Sequence, residues 1–173
     1  MYKRITAPAT GTMIPYYESY RHLLVETDIL QALVNQQAIT FHFVQSLTTL
    51  QGEIIYAPGK WSVKEVLGHM IDAERILSYR ILCFLRGEKQ SLPGFDENEY
   101  AKNSNYSTRK LENISEELKA IRASTIILIQ NMDFELLDHI GKANEKEVSI
   151  RAIIYFILVH ERHHLSIIKN KYL

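Results

Sequence analysis

Seven histidines occur in the 173-residue chain, at positions 22, 42, 69, 139, 160, 163 and 164. Three of them stand where a helix would ordinarily carry a core hydrophobe. His160 follows Phe156 by four residues and Ile157 by three, while His164 follows His160 by four and precedes Ile168 by four. Residues four apart on a helix share a face, with Cβ atoms about 5–6 Å apart, so His160 and His164 can bind one metal ion together. His69 lies three residues after Val66 and four before Ala73, on the apolar stripe of a different helix. If the two helices are neighbours, His69 supplies a third imidazole from across the core. Three neutral imidazoles suit Zn²⁺ or Ni²⁺ and leave coordination positions open to water or substrate. A single histidine on an apolar face is most often a hydrogen-bonded core residue. Three inward ones, each costing roughly 1–3 kcal/mol if buried without a partner, call for a shared solution. His163 points about 100° away from His164 and is expected beside the site or at the surface, with replacement of a ligand as the alternative.

Other chemistries fit these residues less well. His160-Glu161-Arg162-His163-His164 matches H-E-x-x-H, in which the Glu is the general base of a metalloprotease. Those enzymes take their third ligand downstream, whereas the candidate here lies upstream at position 69. Glu161-Arg162-His163-His164 also matches the E-x-x-H element of di-iron bundles, but no second such element appears on another long helix. Glu161 sits about 100° off the His160 face; it is a candidate general base, or else an interhelical carboxylate. Asp72, three residues after His69, is a candidate base or a partner that orients an imidazole. Cys83 is fourteen residues beyond His69, about 21 Å along a helix, and reads as a small buried hydrophobe. Tyr16, Tyr17 and Tyr20 are expected to pack, with no chemistry attached.

The elements that must position these residues read as helices. Only 7 Gly and 4 Pro occur, and the prolines (8, 15, 58, 93) all fall between the long periodic stretches. Residues 1–14 read as an N-terminal arm and 15–173 as a single domain. A first helical stretch is expected from Tyr16 to about Leu50, with a break near Glu26-Thr27-Asp28. The second helix has the sharpest start: Ser62-Val63-Lys64-Glu65 is a capping box, and Trp61 with Val66 a hydrophobic staple. Its apolar stripe runs to about Arg86, and Gly87 ends it. Residues 87–106 read as a long polar loop holding Phe95, Tyr100 and Tyr106; loops of this length are often functional. Tyr100 and Tyr106 are candidate substrate contacts. A third helix is expected from Ser107 or Thr108 to Met132, then a helical turn from Phe134 to Ile140, then a fourth helix capped by Ser149. Four long amphipathic helices in one domain argue a four-helix bundle.

Composition narrows the function. Hydrophobic residues make up 46% and charged residues 23%, which is globular. Twenty Lys+Arg balance twenty Asp+Glu, so the basic excess of a nucleic-acid binder is missing. One cysteine permits no intrachain disulfide and fits a reducing compartment. The N-terminal residues lack a signal-peptide pattern. The longest apolar run, Ala152 to Val159, is far short of the ~20 residues of a membrane span. A soluble, cytoplasmic protein without nucleic-acid or membrane partners is expected.

Several stretches together resemble the DinB/YfiT-like superfamily. They are Tyr56-Ala-Pro-Gly-Lys-Trp-Ser-Val-Lys-Glu-Val-Leu-Gly-His69, Asp72-Ala-Glu-Arg75, Leu92-Pro-Gly-Phe-Asp-Glu97 and His160-Glu-Arg-His-His164. The resemblance covers the chain from about residue 16 onward. It implies an all-α four-helix bundle of up-down-down-up type, usually a homodimer, of bacterial kind. It also implies a divalent metal held by three histidines, which map onto His69, His160 and His164. Characterised relatives include transferases and isomerases that use low-molecular-weight thiols such as bacillithiol or mycothiol; others carry the label of metal-dependent hydrolase. The leading expectation is therefore a metal-dependent S-transferase whose partners are a small-molecule thiol and an electrophile. A metal-dependent hydrolase and a non-catalytic metal-binding bundle are the alternatives.

Overall fold

The computed structural model describes residues 4–173, so residues 1–3 of the expected arm lie outside it. A short helix α1 (Pro15–Glu18) precedes α2 (Ile29–Ser46), α3 (Thr49–Glu53), α4 (Val63–Leu85), α5 (Glu97–Asn103) and α6 (Leu111–Gln130). A hairpin of β1 (Ile140–Ala143) and β2 (Lys146–Ser149) leads into α7 (Ile150–Ile167), whose last turn loosens over Ile168–Tyr172. Caps set these boundaries. The Asp28 carboxylate accepts from the amides of Leu30 and Gln31, which starts α2 there and ends any continuous helix from Tyr16. At α4 the Ser62 hydroxyl accepts from Glu65 N while the Glu65 carboxylate accepts from Ser62 N at 2.7 Å, completing the capping box. Gly87, at φ +77°, closes the far end. The Ser149 hydroxyl caps α7 through Ala152 N.

The four long helices α2, α4, α6 and α7 form the bundle. α2 packs on α6 and α7, and α4 packs on the same two, so α2 and α4 lie diagonally opposite. One apolar cluster gathers the start of α2, the ends of α4 and α6 and the start of α7, through residues such as Leu33, Ile81, Ile129 and Ile153. A second gathers the opposite ends, through Val44, Leu67, Ile114 and Ile168. The helices therefore run up, down, down and up. Among the described residues no helix is long and apolar enough to cross a membrane.

Between the two clusters lies a buried polar layer. Arg122 of α6, 3% exposed, donates from Nε and Nη2 to the two carboxylate oxygens of Glu74 on α4, each at 2.8 Å, and from Nη2 to Glu161 on α7. Thr40 of α2 donates to the other Glu161 oxygen, and Gln36 donates to Thr40 at 3.2 Å. One guanidinium thus ties α4 to α7, and Thr40 joins α2. Two stretches depart from the expected elements. The 87–106 segment contains α5, started by Asp96 capping Asn98 and Glu99. The stretch expected to be a helical turn ending at Gly141 passes from a tight turn at Phe134–Asp138 into the hairpin. The hairpin turn is Asn144-Glu145, both at positive φ (49° and 59°), a conformation that Asn tolerates and Glu rarely adopts.

Replacing Arg122 by Leu strands two carboxylates in the bundle interior. Urea unfolding should show a loss of about 3–5 kcal/mol, the range for breaking a buried ion network from one side. A loss below about 1 kcal/mol would show that the layer is not structural.

Candidate metal centre

His69 comes from α4 and His160 and His164 from α7, two helices in direct contact just beside the Arg122 layer. Their imidazoles converge. His160 Nε2 stands 3.2 Å from His69 Nε2 and 3.1 Å from His164 Nε2. The three potential ligand atoms all lie within 4.8 Å of one another. A neutral ring nitrogen either donates or accepts, so three Nε2 atoms meeting at one point cannot all satisfy each other by hydrogen bonding. Three lone pairs aimed at one cation can. Ligands 2.0–2.1 Å from a tetrahedral ion sit about 3.3 Å apart, close to the two short spacings here. The donor set fits a divalent ion with borderline-soft preferences.

Burial keeps these rings in the form that metals bind. The His160 pKa is pushed down to about 3, mainly by desolvation and further by His69 and His163. Desolvation likewise holds His164 well below the ordinary value and lowers His69, against which Glu97 pulls upward. All three are neutral at pH 7. Trp61 packs against His69 with centroids 5.0 Å apart, and Phe156 against His160 at 5.2 Å, so the triad has aromatic walls.

One side of the triad opens into a cavity of about 420 Å³. Its floor is α4 and α7, and its flank is the tyrosine segment, with Tyr17 stacked flat on Phe156 at 3.9 Å. Its far wall is the 93–97 stretch and the hairpin, through Phe95, Glu97, Asn144 and Lys146. That wall is a built unit. Leu92 N donates to Lys142 O and Asn144 N to Leu92 O, both at 2.9 Å. A Cβ on Gly94 would come within 2.4 Å of the Asn144 side-chain oxygen, so a larger residue there would displace that side chain.

The remaining candidates fall elsewhere. The Glu161 carboxylate is buried and committed to Arg122 and Thr40, on the side away from the cavity. It shares one guanidinium with Glu74, and burial raises its pKa; it is an interhelical carboxylate, not a base beside the histidines. Asp72 accepts from the Tyr106 hydroxyl at 3.1 Å and lies near Arg75, and it does not line the cavity. Tyr106 is buried with its ring pressed on the bare Cα of Gly68, where a Cβ would lie 2.1 Å away, so it packs rather than faces a ligand. Tyr100 is half exposed against Phe95 and outside the cavity lining. Cys83 also lies outside it, packed against the core. His163 stands at the cavity wall, 4.8 Å from the Tyr20 ring. Sequence reasoning missed the cavity roles of Tyr16, Tyr17 and Tyr20, whose spacing signals only a short helix. It also missed Arg80, one of several charged residues on α4.

Known proteins resemble the chain in sequence and in fold. The sequence model of the DinB superfamily matches residues 32–168. A protein of Oceanobacillus iheyensis named "putative metal-dependent hydrolase" is 24% identical over 147 residues, covering 82% of this chain and 84% of that protein. Among solved structures, YfiT from Bacillus subtilis superposes with a TM-score of 0.75 at 15% identity, over 95% of this chain and 90% of that one. It is described as "a probable metal-dependent hydrolase with an unusual four-helix bundle topology".

The lowered histidines give stability a definite pH dependence. Unfolded histidines take up protons below about pH 6.5, while in the folded chain His160 resists protonation down to about pH 3 and burial disfavours it at His164 and His69. The unfolded state then binds more protons, so stability falls as pH drops through 6.5. Chelator-treated protein unfolded in urea at pH 7, 6 and 5 should lose up to about 1.4 kcal/mol per pH unit for each histidine held neutral. The raised Asp72 and Glu161 carboxyls act in the opposite sense. His160→Leu therefore isolates the histidine part and should flatten the slope by about one proton's worth; an unchanged slope would contradict the neutral triad.

Proposed function

The chain belongs to the DinB superfamily, and on that premise we propose that His69, His160 and His164 hold one divalent metal ion for chemistry on a small molecule in the adjoining cavity. Zn²⁺ and Ni²⁺ are the ions that suit three imidazoles. Such an ion, when bound, lowers the pKa of a thiol or a water and so generates a nucleophile near neutral pH. The observation that carries the reading is the opening of the triad: three convergent Nε2 atoms, with the fourth side facing about 420 Å³ of cavity. A purely structural site would be closed on that side by a fourth protein ligand.

The first reading is S-transfer from a low-molecular-weight thiol. The cavity lining holds no cysteine, so sulfur would arrive with the substrate. Sulfur's electron pair forms the new bond to the electrophilic carbon, the thiol proton goes to solvent, and the leaving group departs with its bonding pair. Trp61, Phe156 and Tyr17 would exclude bulk water from the reacting atoms. The triad needs no added base for this: Glu161 and Asp72 are turned away, and a hydrolytic step would have to take its base from Glu97, the one carboxylate of the cavity lining. A hydrolytic reading is favoured by the names of the two relatives, in which water replaces the thiol.

The protein purified without an affinity tag should carry about one equivalent of divalent metal by elemental analysis, and His160→Ala/His164→Ala less than about a tenth of that. With metal restored, a model electrophile should be consumed at a rate that depends on added thiol. Thiol-independent consumption of an ester instead would select the hydrolytic reading. No metal in the wild type after reconstitution with Zn²⁺ and Ni²⁺ would end both.

A further inference from the structure

We propose that the cavity has a second, built binding point, an oxyanion subsite formed by Arg80 with Lys146, which takes a carboxylate or phosphate carried by the small molecule. The proposal deepens the functional reading by naming a substrate class, and it rests on that reading for the use of this cavity. Arg80 is 8% exposed and lines the cavity. Its Nη2 donates to Pro93 O at 2.9 Å, while Nε is buried without a hydrogen-bond partner. Among the described residues no carboxylate lies within ion-pair distance of Arg80 or of Lys146. A buried guanidinium without a counter-charge is costly, and guanidinium donors match carboxylate and phosphate geometry. The one carboxylate of the cavity lining is Glu97, whose charge acts on His69 and Tyr16, toward the histidines.

Placement gives the ligand a length. Arg80 follows His69 by eleven residues, three helical turns, so both occupy one face of α4 roughly 16 Å apart along its axis. Tyr17 lines the cavity together with Arg80 and is stacked on Phe156, which touches His160. A ligand spanning the cavity is elongated, with its reacting group at the histidines and its anion at Arg80. Lys146, at the start of β2, adds a second cation from the hairpin wall, and Gly94 and Asn144 hold that wall in place.

The test uses the full chain, chelator-treated and labelled with ¹⁵N-arginine, titrated with glutarate and, separately, with inorganic phosphate. The Arg80 Nε–H resonance should shift saturably, with half-saturation below roughly 50 mM. Lys146→Met should weaken the response by about threefold, and Arg80→Gln should abolish it in a folded protein. Should Arg80→Gln fail to fold, the wild-type resonance and Lys146→Met still decide. A response to glutarate alone assigns a carboxylate, a response to phosphate alone assigns a phosphate, and either supports the subsite. No saturable shift, or an equal shift from sodium chloride, overturns it. The titration is run on metal-free protein, so it reads the subsite independently of metal binding. Loss of metal binding in the elemental analysis would therefore sink the functional reading while leaving this result legible, and the reverse.

Discussion

The structure turns on the requirement that three neutral imidazoles from two helices present Nε2 atoms at one point inside a bundle. Each ring has only a lone pair or a proton to offer there, and spacings of 3.1 and 3.2 Å leave little tolerance for a slip between α4 and α7. A shift of α7 by one residue along its axis would move His160 by about 1.5 Å and turn it by about 100°. The Arg122 layer opposes such a slip. Glu74 lies five residues after His69, and Glu161 directly follows His160, so the same two helices carry both the donor atoms and the carboxylates that Arg122 clamps. Arg122 lies outside the cavity lining; it acts on the histidines by fixing the register of the helices that bear them.

Around that rigid pair the cavity is assembled from the pieces a minimal bundle would lack. The N-terminal segment is bound into the core rather than hanging free: Ile5 is fully buried, Ile29 N donates to Ile5 O at 2.8 Å, and Arg162 reaches from α7 to Leu23 O and Glu26. This anchoring lets Tyr17 lie flat on Phe156. On the other side Leu92 pairs with Ala143 of the hairpin through a single bridge, and Gly94 sits close against the Asn144 side chain. The bundle thus supplies the donor atoms, and the additions shape what can approach them.

Much of this was legible in the sequence, because it rests on local periodicity. The four-residue spacing of His160 and His164 and the place of His69 on an apolar stripe each follow from helix geometry. So do the capping box at Ser62 and the cap at Ser149. What was not legible depends on partners distant in sequence. A position 100° off the histidine face leaves Glu161 free to meet either solvent or Arg122, and only the packing of α6 decides. Asp72 was a candidate from its spacing to His69 and Tyr106 from its place in a long loop, yet they meet each other across the Gly68 surface. The hairpin escaped notice because its turn is Asn-Glu rather than Asn-Gly, so positive φ at Glu145 is imposed by context and not advertised by residue type.

Whether the convergent imidazoles act as one donor set is tested most directly by counting the atoms around the bound ion. X-ray absorption at the metal edge of stoichiometrically loaded protein should show three imidazole nitrogens at about 2.0–2.1 Å for Zn²⁺, with an exchangeable non-protein ligand completing the shell. A shell with fewer than three imidazoles would contradict the account. So would one completed by a protein carboxylate or by the Cys83 thiolate.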